Sequence, residues 1–299
     1  MSKRIPILAM AGLLAAAASL PVRAEPPATQ ATAEDLAQRK TLATEVSALM
    51  NYEPSIEDWK KTLIASQNFS QCGCAVPEDM RAKLNEAWAK AVSEEFKARE
   101  VLSNLEFALA TELTTGELRQ AIAFRKSPLG LKMAAAEEAN RISRSNEDPA
   151  VELARLTKLG RKLDAMPARK AQLQRIVKLV GGSANLAETM ITLSIGTALG
   201  ATAVASDDQP RMSHGEIVSM IEAARPQMEQ AFEPMMVPMY GSLYERLTDK
   251  ELKALADELD KPQSRKFVAV SNEAFKTGLR AQALKMGQRF GHEMKAEKI

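Results

Sequence analysis

Aromatic side chains make up only 4% of this 299-residue chain, and there are two histidines and two cysteines. Runs of β-branched residues are scarce, which argues against a protein built on sheets. The shortage of histidine removes the usual general base, so a serine nucleophile would lack the partner that activates it. No glycine-rich phosphate loop, His-Glu-x-x-His helix, calcium-binding loop or paired-carboxylate motif is present. Excess positive charge is also missing. The chain carries 40 Lys and Arg against 38 Asp and Glu, and three of the basic residues, Lys3, Arg4 and Arg23, stand at its very start. Setting those three aside leaves the two signs balanced, with the acids one ahead. Nucleic acid is therefore not an expected partner, because phosphate binding needs clustered positive charge.

Ala, Leu, Glu, Lys, Arg, Gln and Met, all good helix formers, dominate the composition. Together with 45% apolar content this predicts an all-α protein, a multi-helix bundle. Met1–Ala24 reads as a signal peptide. Lys3 and Arg4 precede an apolar run, and Val22 and Ala24 stand at the minus-three and minus-one places. Cleavage after Ala24 and a periplasmic location are the expectation. With Pro6, Pro21 and Arg23 interrupting it, the apolar run is a poor membrane anchor.

Helix signals punctuate the rest. Helices are expected over about Glu34–Met50 and from Ser55, where "SIED" resembles a capping box. One long helix is expected from Glu78 to Leu113, others over Val151–Asp164 and from Pro167, and a last from Pro262. Ser213 with Glu216 forms another capping box, and Pro226, Pro234 and Pro238 require a kink or division in the helix beyond. Met190–Ala205 carries no charged side chain and contains Gly196-x-x-x-Gly200. A membrane span would need more length, so a buried central helix is the reading. The chain divides into a leader (1–24), an N-terminal helical region (25–103), a helical domain (104–165) and a second helical region (166–299).

One stretch occurs twice. Leu113–Met133 aligns without gaps on Leu247–Phe267, matching Leu113, Thr114, Glu117, Leu118, Pro128 and Lys132 to Leu247, Thr248, Glu251, Leu252, Pro262 and Lys266. A diverged tandem helical repeat is the expectation. The first copy, "LTTGELRQAIAFRKSPLGLK", resembles the motif of the domain of unknown function 2059 family: a Leu/Phe-Thr-x-x-Glu-Leu start and a Phe-Tyr-x-Ser-Pro-x-Gly-x-Lys end. Leu113, Thr114, Glu117, Leu118, Phe124, Ser127, Pro128, Gly130 and Lys132 match, and Arg125 stands where the family usually has Tyr. The second copy has Lys-Pro-Gln-Ser in place of Ser-Pro-x-Gly. The resemblance implies an all-helical fold and an exported location, and it implies no activity.

Two readings of the motif compete. Ser127 as nucleophile or Lys132 as anion ligand would make it a site. Capping by Thr114, Glu117 and Ser127, with Pro128 opening the next helix and Gly130 admitting a close neighbour, makes it a helix junction. Capping accounts for every polar residue in it.

Cys72-Gly-Cys74 is the only cysteine pair. In an oxidising compartment a local disulfide is the leading reading, with thiol exchange or soft-metal ligation as rivals. Met228, Met235, Met236 and Met239 cluster in the second half, near Met212 and Met220. They read as an adaptable apolar surface for a partner, an envelope protein or a second copy of the chain. Thioethers also suit Cu(I), which makes a copper or thiol-redox protein using Cys72 and Cys74 the alternative. No cofactor, no resident metal and no catalytic residue is expected.

Overall fold

The computed structural model describes residues 33–66, 78–144, 149–204 and 212–296. Every described element is a helix: α1 (Ala33–Leu49), α2 (Tyr52–Ser66), α3 (Glu78–Glu95), α4 (Ala98–Glu112), α5 (Thr115–Arg125), α6 (Pro128–Arg144), α7 (Pro149–Asp164), α8 (Pro167–Leu179), α9 (Gly182–Ala203), α10 (His214–Glu222), α11 (Arg225–Leu243), α12 (Asp249–Leu259) and α13 (Pro262–Ala296). The chain is all-α, as its composition requires. The leader and the Cys-Gly-Cys loop lie outside the described residues.

Two apolar cores hold the helices. The larger gathers Val46, Trp88, Val92, Phe96, Leu105 and Leu109 around α13 residues such as Leu279 and Met286. The smaller joins Met133, Leu163, Leu173, Ile176, Leu252 and Leu255. The boundary drawn at residue 104 falls inside α4, whose buried residues all feed the larger core.

Two local expectations need correction, and a third is met. The single helix over 78–113 is two, broken at Phe96–Lys97. The cause is distant: the fully buried Gln282 of α13 accepts the Lys97 backbone N–H at 2.9 Å and donates to Glu100 at 2.8 Å. A buried amide that satisfies an orphan donor at a helix start fixes the break there. The second helix begins at Tyr52, ahead of Ser55, because Asn51 turns the chain with φ of 55°. Ser55 instead bonds back to the Asn51 carbonyl at 2.9 Å. The proline-bearing helix is divided at Ala223–Ala224, before Pro226, while Pro234 and Pro238 remain inside α11.

α13 is the organising element. Its Phe275 meets Trp59 of α2 edge-on at 6.0 Å, and its Phe290 meets Trp88 of α3 at 5.9 Å. Along its other side runs α9, by length and composition a candidate membrane span. In this fold α9 packs on α13 through small residues. A Cβ at Gly200 would stand 2.7 Å from the Gln288 backbone nitrogen, and one at Gly287 would stand 2.8 Å from Thr197 backbone carbon atoms. Ala283 and Gly291 continue the seam opposite Gly196 and Ala201. The two backbones touch because no side chain separates them.

Candidate functional site

The motif residues form the junction their types predict. Thr114 caps α5, accepting from Glu117 N, and the Glu117 carboxylate accepts from Thr114 N. Ser127 Oγ accepts from Gly130 N at 3.1 Å, and Pro128 opens α6. A Cβ on Gly130 would stand 2.6 Å from the Arg125 carbonyl, so the α5–α6 turn admits only glycine. Leu113 and Leu118 are fully buried. Thr248 and Glu251 repeat the capping box at α12, which has the same 11-residue length as α5, and Pro262 opens α13 as Pro128 opens α6.

The two junctions also hold each other. Lys132 Nζ donates to Glu251 at 2.7 Å, and Lys266 Nζ donates to Glu117 at 3.0 Å. Each lysine reaches the capping carboxylate of the other stretch. A two-fold relation between the two stretches would produce such a reciprocal pair. Lys132 is thus engaged with a carboxylate of its own chain and not held ready for an external anion.

More correspondences surround the junctions. Arg39 donates to the Leu113 carbonyl at 3.3 Å, and Arg169 donates to the Leu247 carbonyl at 2.8 Å. Both guanidinium groups are buried, and each also meets an aspartate, Asp35 at 3.2 Å and Asp249 at 2.9 Å. Equally far past each arginine, Asn51 and Gly181 take left-handed backbone, with φ of 55° and 83°. A cleft of about 250 Å³ between α7, α8 and α11 has Arg169 in its wall, but that arginine's donors already end on Leu247, Tyr244 and Asp249.

A second cluster joins α2, α5, α6 and α11. All three tyrosines of the chain, Tyr52, Tyr240 and Tyr244, approach one ion pair, Arg125–Glu137 at 2.9 Å. Arg125, only 3% exposed, donates to the Leu49 carbonyl at 3.0 Å, and Tyr244 OH donates to Glu137 at 3.2 Å. Burial pushes the Tyr52 hydroxyl up, an effect the Ser271 hydroxyl and Arg125 partly offset. Burial and then the Glu137 charge push Tyr240 up to about 12 and Tyr244 well above the ordinary value. These phenols stay protonated, and Tyr244 serves as a donor. Nearby, Arg141 links Glu138 to Asp58, and Asn51 donates to Glu138 at 2.7 Å. The cluster's charged groups pair with one another, which makes it a tie between helices.

No protein-family model, no curated protein and no solved structure matches this chain.

Among the described residues there is no group of three or more His, Cys, Asp or Glu side chains able to hold a metal. Cys72 and Cys74 lie outside the described residues. Of the methionines, Met236 is buried at 4% exposure and belongs to the interior of α11, so it offers nothing to a partner. Met228, Met235 and Met239 are half-buried, while Met212 and Met220 are the exposed ones, at 44% and 58%. The methionine surface therefore centres on α10 and the start of α11. Sequence reading missed Arg39, Arg169, Arg125 and the tyrosines. Their only signals were a shortage of tyrosine and the Tyr240-x-x-x-Tyr244 spacing, which are too general to act on.

The reciprocal pairs carry a pH prediction. The Lys132 ammonium and then the Thr248 cap hold Glu251 at about 2, below its ordinary 4.5. Burial would raise Glu117, but the Thr114 backbone N–H and Lys266 outweigh it and hold Glu117 low as well. Both folded values lie below the unfolded ones, so the stabilisation is complete above pH about 4.5 and is lost as pH falls towards about 2. Urea midpoints taken across this range should fall less steeply for the E117Q/E251Q double variant than for the natural chain. Parallel curves would show that these carboxylates do not couple to folding.

Proposed function

We propose that this is an exported, periplasmic, non-catalytic binding protein, built from two copies of one helical unit, that engages another envelope protein or a second copy of itself. The observation that carries the reading is the apolar surface around α10, where Met220 and Met212 stand in water at 58% and 44% exposure with Met228 half-buried beside them. Large, flexible apolar side chains left uncovered on a folded surface mark a docking site. The tyrosine–arginine–glutamate cluster supports a scaffold role, because its charged groups pair with one another. The repeat rests on the matched capping boxes, the equal lengths of α5 and α12, and the reciprocal Lys–Glu pairs. Membership of the domain of unknown function 2059 family, export through the leader and the absence of a membrane span in the mature chain are parts of the same proposal. α9 is then a core helix whose apolar side belongs to α13.

The test uses Met220→Lys, which changes an exposed side chain and should leave the thermal midpoint within about 2 °C. The natural chain should retain a defined partner from the envelope fraction, or sediment as a dimer, and the variant should do neither. Recovery at background level with a monomeric natural chain, or retention unaffected by the substitution, would sink the reading.

A further inference from the structure

Charge is spread unevenly over this near-neutral chain. α7 and α8 carry eight Lys and Arg, four on each, against two acids, Glu152 and Asp164. On α13, by contrast, Arg265, Lys266, Lys276, Lys285 and Arg289 each meet an acid. So do Lys170 and Arg175 of α8. Lys158, Arg161 and Lys162 of α7 are exposed, and none of them meets an acid among the described residues. Asp164 is taken by Lys170, and Glu245 lines the same cleft as Lys162 without an ion pair to it. The three cations lie on one stripe. Val151, Ala154, Lys158 and Arg161 recur at intervals of three and four, opposite the buried Leu156 and Leu163, and Lys162 stands one turn beyond Lys158. Apolar side chains gather at the other end. Asn140 of α6 and Arg155 of α7 both donate to Ser242, at 3.2 and 2.5 Å, so the end of α6 lies beside the first turns of α7. Ile142, Val151 and Leu153 are left in water there, at 60%, 56% and 51% exposure.

We propose that this face of α7 rests on an anionic phospholipid surface, with Lys158, Arg161 and Lys162 over the headgroups and Ile142, Val151 and Leu153 entering the interface. The stripe is the convex side of a single helix, which leaves no groove for an acidic peptide. α7 and α8 contain no aromatic side chain, so nucleobases would find nothing to stack on. A membrane asks for neither. It is a sheet of negative charge that long basic side chains meet without fixed geometry, and each one adds attraction near the surface. Apolar side chains beside the cations suit it further, because the interface takes them up while the headgroups take the charge. Docking of this kind is peripheral and needs no spanning helix. It uses none of the α10 methionines, so it stands or falls apart from that surface.

The test is co-sedimentation of the full chain with sucrose-loaded vesicles of phosphatidylcholine, alone or with about 30 mol% phosphatidylglycerol. The charged vesicles should bind half of the protein at about 1 mM lipid, and salt raised to about 0.5 M should release it. K158Q/R161Q/K162Q should weaken that binding on the order of a hundredfold at low salt. K40Q/R119Q/K250Q removes three other exposed cations, from α1, α5 and α12, and should weaken it less than about threefold. Both triples keep the leader and have the same net charge, so the difference between them reads this face alone. V151S/L153S should weaken binding about tenfold, and M220K should leave it unaltered. All of these side chains are exposed or half-exposed, so the circular dichroism spectra should match that of the natural chain. Equal binding to the two kinds of vesicle, or equal losses from the two triples, overturns the proposal. Undiminished binding by V151S/L153S overturns it as well, since charge alone would then hold any polyanion.

Discussion

Gly287→Ala should lower the free energy of unfolding by about 3 kcal/mol, the upper end for overpacking a dense contact. The added methyl would stand 2.8 Å from the Thr197 backbone. Backbone cannot rotate away as a side chain does, so α9 must withdraw from α13 along its length. That separation opens the neighbouring contacts of Gly196, Gly200 and Gly291 together. It also shifts the helix whose Phe275 and Phe290 hold Trp59 and Trp88. Gly215→Ala is the matched control, because a Cβ there meets nothing within 4 Å. Urea unfolding followed by circular dichroism should place G215A within about 0.5 kcal/mol of the natural chain. If G287A behaves like G215A, the seam is not close-packed.

Arg125→Ala should be nearly as damaging, at about 3 kcal/mol near neutral pH. The guanidinium is 3% exposed and neutralises Glu137, and it also satisfies the Leu49 carbonyl at the end of α1. Its removal leaves a carboxylate facing Tyr240 and Tyr244 with no cation beside it. The low end of the range for breaking a buried pair applies, since Glu137 retains 29% exposure. The double variant R125A/E137Q removes the stranded charge and should recover about half of the loss. Equal stability of the single and double variants would show that the charge is not what the arginine answers. A loss below about 1 kcal/mol for R125A would show that water enters the cluster freely.

What the sequence disclosed and what it hid divide by distance along the chain. The boxes Thr114–Glu117, Ser213–Glu216 and Thr248–Glu251 are local, closed within a single helical turn, and all three form as read. So do Pro128, Pro167 and Pro262 at helix starts. The α3–α4 break was unreadable because its cause is Gln282, 185 residues away. Helical spacing continues through Phe96, so no local pattern betrays it. The likeness between α1 and α8 was invisible for another reason. Arg39 and Arg169, Val46 and Ile176, and Asn51 and Gly181 correspond at one common spacing, which is shorter than that of the junctions. Few identities survive across that change of register. Which methionines face solvent was hidden as well, because Pro238 and Met236 turn inward while Met220 turns out. The tyrosine cluster draws on α2, α5, α6 and α11, and no window of sequence contains it.

The Gln282 amide that completes the start of α4 has a consequence in time. A chain emerges N-terminus first, so α3 and α4 appear long before the side chain that finishes their junction. Until α13 arrives, Lys97 lacks its acceptor and Trp59 and Trp88 lack their facing rings. The α3–α4 junction therefore stays incomplete until α13 is made, through connectivity rather than slow chemistry. For a polypeptide that must be threaded through a narrow passage before folding, late closure is an advantage. For one lingering on the near side it is an exposure to proteases and to aggregation. One helix, made after all the other described ones, sets the length of that interval.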